Sequence, residues 1–349
     1  MKVGTGTSIA VVAPSPILTV TVEPDGDIHL HAGGQGFWVA RLAARLGPEV
    51  TLCAAFGGET GTVLRPLIAA EAIKIWEIAT DSRNGAYIHD RRSGARRVVA
   101  QTRGTSLSRH TVDDLYGAAF ATGMRAAVTV LTGTDPAGLV PSGFYSRIAR
   151  DLGSNGRAVI GDLTGAELDA AVSGGLMLLK VSADSLVAEG RATSAEDSII
   201  SWMRMVSGAG ARHVIVTRGA APALALLEGE LVSAAPPQTT PNDERGAGDA
   251  MMAALAAALS ARRSLVDALR HGIAAGAMNV TRSGLGTGRP EAIDLIAEHV
   301  QVTRVAVTAD TAQQTSMPAL ALVRSPATGT TAIASEATAV AGVKGATDV

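Results

Sequence analysis

The segment Asn242-Asp243-Glu244-Arg245-Gly246-Ala247-Gly248-Asp249 carries the strongest chemical signal in the chain. It runs into Ala250-Met251-Met252-Ala253-Ala254-Leu255, built from strong helix formers, so a helix starts at this point. Small residues leave the amides of Gly246, Ala247, Gly248 and Asp249 uncovered. Several N–H groups at a helix start can point at one oxyanion or phosphate. A carboxylate at Asp249 would repel such a guest. The conflict disappears if Asp249 is a base that takes a proton from a hydroxyl, which then attacks a phosphoryl group held by the amides. The other reading is an acidic first-turn residue serving the helix dipole. Local chemistry leaves both open.

A second glycine turn, His31-Ala32-Gly33-Gly34-Gln35-Gly36-Phe37, opens another helix. Glycine here lets backbone approach a ligand, or it is structural. As a dinucleotide fingerprint the turn fails, because Val39 stands where the third glycine belongs and a hairpin rather than a core strand precedes it. The lysines are Lys2, Lys74, Lys180 and Lys344, and none follows a phosphate-loop glycine pattern. H-E-x-x-H, G-x-S-x-G and C-x-x-C are absent, which removes the usual zinc and serine hydrolase readings.

Short apolar runs alternate with longer amphipathic or Ala-rich segments, the pattern of an α/β chain with a mostly parallel sheet covered by helices. Strands are expected at Ile9–Val12, Val50–Phe56, Val128–Thr132, Ala158–Asp162, Met177–Val181 and His213–Thr217. Helices are expected at Phe37–Leu46, Gly61–Glu71, Thr111–Gly123, Ser142–Leu152 and Ser194–Val206. Thr19–Glu23 and Ile28–His31 alternate with period two around Pro24-Asp25-Gly26-Asp27, a hairpin signal. Ala86–His89 and Arg97–Gln101 form a second pair. Hairpins between early βα units suggest a small β lid, with edge strands of the main sheet as the alternative. Residues from about 308 to 349 are Ala, Thr, Val, Ser and Gly without a period and read as a disordered tail. Because the residues after Gln301 show no apolar period to bury, trimming there is expected to leave the fold intact.

The 349 residues carry a net charge of −2 and 3% aromatics, which argues against a nucleic-acid surface. The single cysteine, Cys53, excludes an intramolecular disulfide and a thiolate metal cage. Gly, Pro, Arg or Asp interrupts every candidate membrane span, and Pro14 and Pro16 break the apolar run near the N-terminus. The expectation is a soluble, cytoplasmic protein with no nucleic-acid or membrane partner.

Four ordered segments resemble the PfkB (ribokinase-like) carbohydrate kinases, most closely the 1-phosphofructokinase and tagatose-6-phosphate kinase branch. HAGGQGFWVARLAARLGPEVTLCAAFGGETG is similar to the first signature of that branch and RGAGDAMMAALAAAL to the second. LTGTDPAGLVPSGFY is similar to its S-G-S-L-P-P-G segment, and AAGAMNVTRSGLGTG to its C-terminal pattern. The similarity runs from about Ile9 to His299. It implies a three-layer αβα kinase domain over 1–307 with a β lid from about 17–32 and 85–102, and a homodimer through the lid. It implies ATP with Mg²⁺, Asp249 as general base, and Gly246, Ala247 and Gly248 as the anion hole. Lys180, Thr217, Gly219 and Gly248 fall at nucleotide positions. Gly33, Gly34, Arg83, Thr134 and Asp249 fall at substrate positions, with Arg83 and Thr134 gripping the phosphate of a phosphorylated sugar.

The chain departs from that pattern on two sides. Ala13-Pro14-Ser15-Pro16-Ile17 replaces N-P-A-x-D, so the carboxylate that reads sugar hydroxyls is missing. Gln35 and Trp38 replace Lys and Asn, and Gly85 replaces an Asn. Ser182-Ala183-Asp184-Ser185 replaces N-x-x-E, and Asp243-Glu244 replaces Asp-Thr, which turns the metal expectation to Asp243, Asp184 or Glu189. The resemblance implies phosphoryl transfer from ATP to a hydroxyl of a sugar or sugar phosphate, with a phosphorylated acceptor preferred. A kinase for a non-sugar alcohol or nucleoside, or a catalytically weak binding protein, are the alternatives.

Overall fold

Strands buried on both faces read as continuous apolar runs, and those runs set the order of elements in this chain. The computed structural model describes residues 7–305 apart from Ala95, Pro241, Asn242, Glu244 and Ser283. The first third holds β1 (Ser8–Val12), β2 (Ile17–Val22), β3 (Ile28–Gly33), α1 (Gln35–Arg45), β4 (Glu49–Phe56), α2 (Gly58–Ala69), β5 (Lys74–Ala79), β6 (Ala86–Asp90) and β7 (Arg97–Thr102). Then come α3 (Arg109–Gly123), β8 (Val128–Thr132), α4 (Ser142–Ser154), β9 (Ala158–Asp162), α5 (Gly165–Gly174), β10 (Leu176–Ser182), α6 (Ala183–Ala188) and α7 (Glu196–Ala209). The last stretch is β11 (Ala211–Arg218), β12 (Ala221–Leu227), β13 (Glu230–Ala235), α8 (Ala247–Ser260), α9 (Leu265–Val280), α10 (Pro290–Glu298) and β14 (Gln301–Arg304).

Among the described residues, ten strands form one sheet in the order β14-β13-β12-β11-β10-β9-β8-β1-β4-β5. From β11 to β5 neighbours run parallel, and β12, β13 and β14 add antiparallel at one edge. Alternate residues of each inner strand enter different cores. Val11, Leu52, Val130 and Ile160 pack with α1, α2, α8, α9 and α10. Val12, Cys53, Leu131 and Val159 pack with α3 to α7 on the other face. The three-layer αβα arrangement is therefore built by period-two alternation on both sides. α8 is buried from Ala250 to Ala258, as a helix apolar on every side must be.

The two expected hairpins form a separate four-stranded sheet, β3-β2-β6-β7, rather than edges of the main one. Its register places His31, Thr19, Tyr87 and Gln101 in one row and Leu30, Val20, Ile88 and Ala100 in the next. Successive rows point to opposite faces, so the lid has one polar and one apolar face.

β14 corrects the expectation for the residues after Gln301. An edge strand needs one neighbour, and backbone pairing of Val232 to Ala235 with Arg304 to Gln301 supplies it without an apolar period. Val302 packs against the core, and the Val305 amide donates to the Leu231 carbonyl. The expected tail over 308–349 lies outside the described residues. A chain ending after Val300 is expected to lose about 1–2 kcal/mol relative to one ending after Val305, read as a melting-temperature drop of about 2–8 °C. Equal melting curves would show that β14 contributes nothing.

Candidate active site

In an open parallel sheet, ligands bind at the carboxyl ends of strands where the strand order reverses. Here the chain leaves β1 toward β4 on one side and reaches β8 on the other. A cavity of about 120 Å³ opens at this point, lined by residues that follow β1 (Ser15, Pro16, Ile17), β8 (Gly133, Thr134, Asp135) and β9 (Asp162, Leu163, Thr164). Gly34 and Gln35 at the start of α1 complete its wall.

Beside the cavity, α8 begins at Gly246, whose φ of +70° is left-handed backbone. The loop before it is held from behind: the Asn279 side-chain amide donates to the Arg245 carbonyl at 2.6 Å, and the Asp243 amide donates to the Val280 carbonyl at 3.0 Å. Asn279 is 3% exposed. Gly248 lies directly against Lys180, and a Cβ placed on it would sit 2.5 Å from the ammonium nitrogen. Lys180, buried on β10, donates to the Asp162 carboxylate at the end of β9 at 2.8 Å. The register puts these two residues side by side. Asp249 follows Gly248 in the first turn of α8. Burial, then the like charge of Asp162, push its carboxyl up to about 7, and Lys180 works against that rise.

On the other wall the loop after β8 is tied down through its own donors. The Gly133 amide donates to Gln35 Oε1 at 3.1 Å. Glu167, 4% exposed on α5, accepts from the Thr134 amide at 3.4 Å, the Thr134 hydroxyl at 3.0 Å and the Gly138 amide at 3.1 Å. The Leu139 amide donates to the Thr134 hydroxyl oxygen at 3.3 Å. Asp135 points its carboxylate toward the lid, where the Tyr87 hydroxyl donates to it at 2.6 Å and Gln101 donates to Tyr87 at 3.1 Å. Burial, followed by that bond and the charge of Asp135, pushes the Tyr87 phenol up to about 12, so it remains a donor near neutrality.

The profile of the pfkB family carbohydrate kinases matches residues 2–292. The chain belongs to the pfkB family of carbohydrate kinases. Its sequence is 27% identical over 280 residues to the ATP-dependent 6-phosphofructokinase isozyme 2 of Escherichia coli, covering 77% of this chain and 90% of that protein. It is 27% identical over 299 residues to a 1-phosphofructokinase of Haloferax volcanii, covering 83% and 93%. The fold matches phosphofructokinase-2 of Escherichia coli with a TM-score of 0.73 at 24% identity, over 84% of this chain and 98% of that one. It also matches an Arabidopsis thaliana ribokinase with a TM-score of 0.65 at 17% identity, over 83% and 98%. The fold is ribokinase-like, and the reaction class is phosphoryl transfer to a sugar hydroxyl.

Within this pfkB kinase the expected site residues fall into three groups. Asp249, Gly246, Ala247, Gly248 and Lys180 come together at the start of α8. Thr217 lies one residue before the end of β11 in register with Ser182, and Gly219 (φ +59°) makes the next turn, so both sit at the carboxyl edge of the sheet. Gly33 and Gly34 lead into α1, and Gly34 lines the cavity. Of the two residues expected to grip a phosphate, Thr134 lines the cavity and Arg83 does not. The Thr134 hydroxyl is turned to Glu167, and Arg83 lies exposed outside the lining, its Nε donating to the Arg103 carbonyl at 3.2 Å.

The carboxylates expected for metal do not converge. Asp243 is paired with Arg245, and Glu189 accepts from the Gly165 amide and from Arg191 at 2.5 Å. Asp184 is exposed in the first turn of α6, while Ser182 caps that helix by accepting from the Ser185 amide. No group of three such ligands forms among the described residues. These residues therefore do not fit a shared ion. Asp162, Glu167 and Asn279 were not singled out from sequence, and Gln35 was noted there only as the replacement for a Lys. An acidic residue closing the apolar run Ala158-Val159-Ile160-Gly161 is the available signal for Asp162.

Because protonation removes a base, kcat/KM is expected to fall as pH drops through about 7 if Asp249 takes the acceptor proton. Lys180→Met takes away the charge that lowers Asp249 and should move this limb to higher pH. Asp162→Asn removes the like charge and should move it lower. A limb that stays fixed in both variants would assign the titration to another group.

Proposed function

We propose that the protein transfers the γ-phosphoryl group of ATP to a hydroxyl of a sugar or sugar phosphate, with Asp249 as the base. The observation that carries this reading is geometric: the glycine turn opening α8 sets Gly248 against the buried Lys180–Asp162 pair and places Asp249 next to it, where burial pushes its carboxyl up to about 7. A base works best when its pKa lies near the working pH. The acceptor hydroxyl gives its proton to Asp249 as it attacks, and the amides of Gly246 to Asp249 face the charge that grows on the transferred group. Lys180 adds a fixed positive charge beside Gly248. Thr217 and Gly219 are suited to the donor nucleotide. Mg²⁺ would neutralise charge on the triphosphate, where it is commonly held with few protein carboxylates. The polar face of the lid covers the cavity and excludes water, which would otherwise compete as acceptor.

The apolar lid face supports a homodimer. Ile28 is 63% exposed, and Leu30 and Ile88 are exposed on the same face of the small sheet. A contiguous apolar surface of this kind marks an interface. No helix among the described residues is long and apolar enough to cross a membrane. A cytoplasmic location fits a consumer of ATP.

The deciding experiment follows ADP release with ATP and a panel of fructose, tagatose, ribose, fructose 1-phosphate and fructose 6-phosphate. Asp249→Asn should lower kcat by about 10²–10⁴-fold while nucleotide binding persists. Gly248→Val should abolish turnover by driving a side chain into Lys180. Full activity in Asp249→Asn would rule Asp249 out as the base, and full activity in Gly248→Val would reduce the loop to a helix cap. Leu30→Lys with Ile88→Lys should convert a dimer to a monomer in sedimentation, and an unchanged mass would exclude the lid as the interface.

A further inference from the structure

The loop after β8 has an unusual balance of hydrogen-bonding groups. Its amides at Gly133, Thr134, Gly138 and Leu139 and the hydroxyl proton of Thr134 are all committed to acceptors within the protein. Among the loop residues that line the cavity, the one charged side chain is Asp135. A phosphate needs donors and is repelled by a carboxylate, whereas a hydroxyl needs an acceptor. Ile17 lines the same cavity and offers no polar side-chain atom. Asp135 is also fastened to the lid, since Tyr87 donates to its Oδ2 and Gln101 holds Tyr87.

We propose that Asp135 is the specificity-determining residue of this kinase, accepting a hydrogen bond from an acceptor hydroxyl, so that the end of the substrate lying on this loop carries a hydroxyl and not a phosphate. The proposal rests on the reading of this cavity as the acceptor site. Glu167 is a positioning residue in the arrangement: its buried carboxylate consumes the donors that a phosphate would need. Tyr87 carries the occupancy of the loop to the polar face of the lid. The substrate class is a polyhydroxylated acceptor, with any phosphate directed away from the loop.

The test compares wild type with Asp135→Asn and Tyr87→Phe. The asparagine keeps an acceptor for Tyr87 and removes the charge, so melting curves should match those of wild type. Free fructose and ribose are compared with fructose 1-phosphate and fructose 6-phosphate under saturating ATP. In Asp135→Asn, KM for the free sugars should rise by about 10-fold or more, the scale of a lost charge-assisted hydrogen bond, with KM for ATP unchanged. The ratio of kcat/KM for phosphorylated over free acceptors should rise as well. Tyr87→Phe leaves the charge in place and should leave that ratio unchanged. An unaltered ratio in Asp135→Asn, or an altered KM for ATP alone, overturns the proposal. If none of the four compounds is phosphorylated by wild type, the acceptor-site reading fails with them. Calorimetric binding of the same four compounds then decides the role of Asp135 separately: weaker sugar binding in Asp135→Asn supports it, and equal or absent binding refutes it.

Discussion

The contact between Lys180 and Gly248 sets the terms for the rest of the molecule. A buried ammonium is costly unless paired, and Asp162 on the adjacent strand supplies the partner at 2.8 Å. Their pairing fixes the ammonium at the carboxyl edge of the sheet. The first turn of α8 can come that close only because position 248 has no side chain. β9, β10 and α8 must therefore keep their relative heights. The parallel register of β9 with β10 and the fully buried α8 provide that rigidity.

The two walls of the cavity solve opposite electrostatic problems. The α8 side gathers amides, a lysine and a base whose charge is suppressed by burial. Its opposite wall uses Glu167 and Gln35 to satisfy the loop after β8, leaving no stranded amide at those four positions and presenting negative charge outward. A substrate placed between them meets donors at one end and an acceptor at the other. That polarity orients it before any chemistry takes place.

Much of this was legible in the residues. β8 and β9 coincide with their expected ranges because both faces are covered, and Asp249 with its glycines is a local signal that needs no partner from elsewhere. β12 was not legible. Ala221-Pro222-Ala223-Leu224-Ala225-Leu226-Leu227 lacks the branched residues of its neighbours, and its strand character comes from pairing with β11 and β13. The turn that follows, with Glu228 at φ +51° and Gly229 at φ +82°, confirms a hairpin only once both strands exist. In the site, Asp162 meets Lys180 across 18 residues and Glu167 meets Thr134 across 33. No periodicity encodes such meetings. The resemblance located Thr134, but it could not show that its hydroxyl is already spent on a carboxylate from α5.

The lid interrupts the main fold twice, with β2 and β3 leaving between β1 and α1, and β6 and β7 between β5 and α3. It is thus tethered at four chain crossings. A flap anchored at several points along its base can swing about that line but resists sliding or twisting. One of those anchors is Gly34, immediately before Gln35, whose side chain holds the Gly133 amide. The lid therefore meets the loop after β8 at two points, through Gln35 next to Gly34 and through the Tyr87–Asp135 hydrogen bond, so roof and floor of the cavity are mechanically joined.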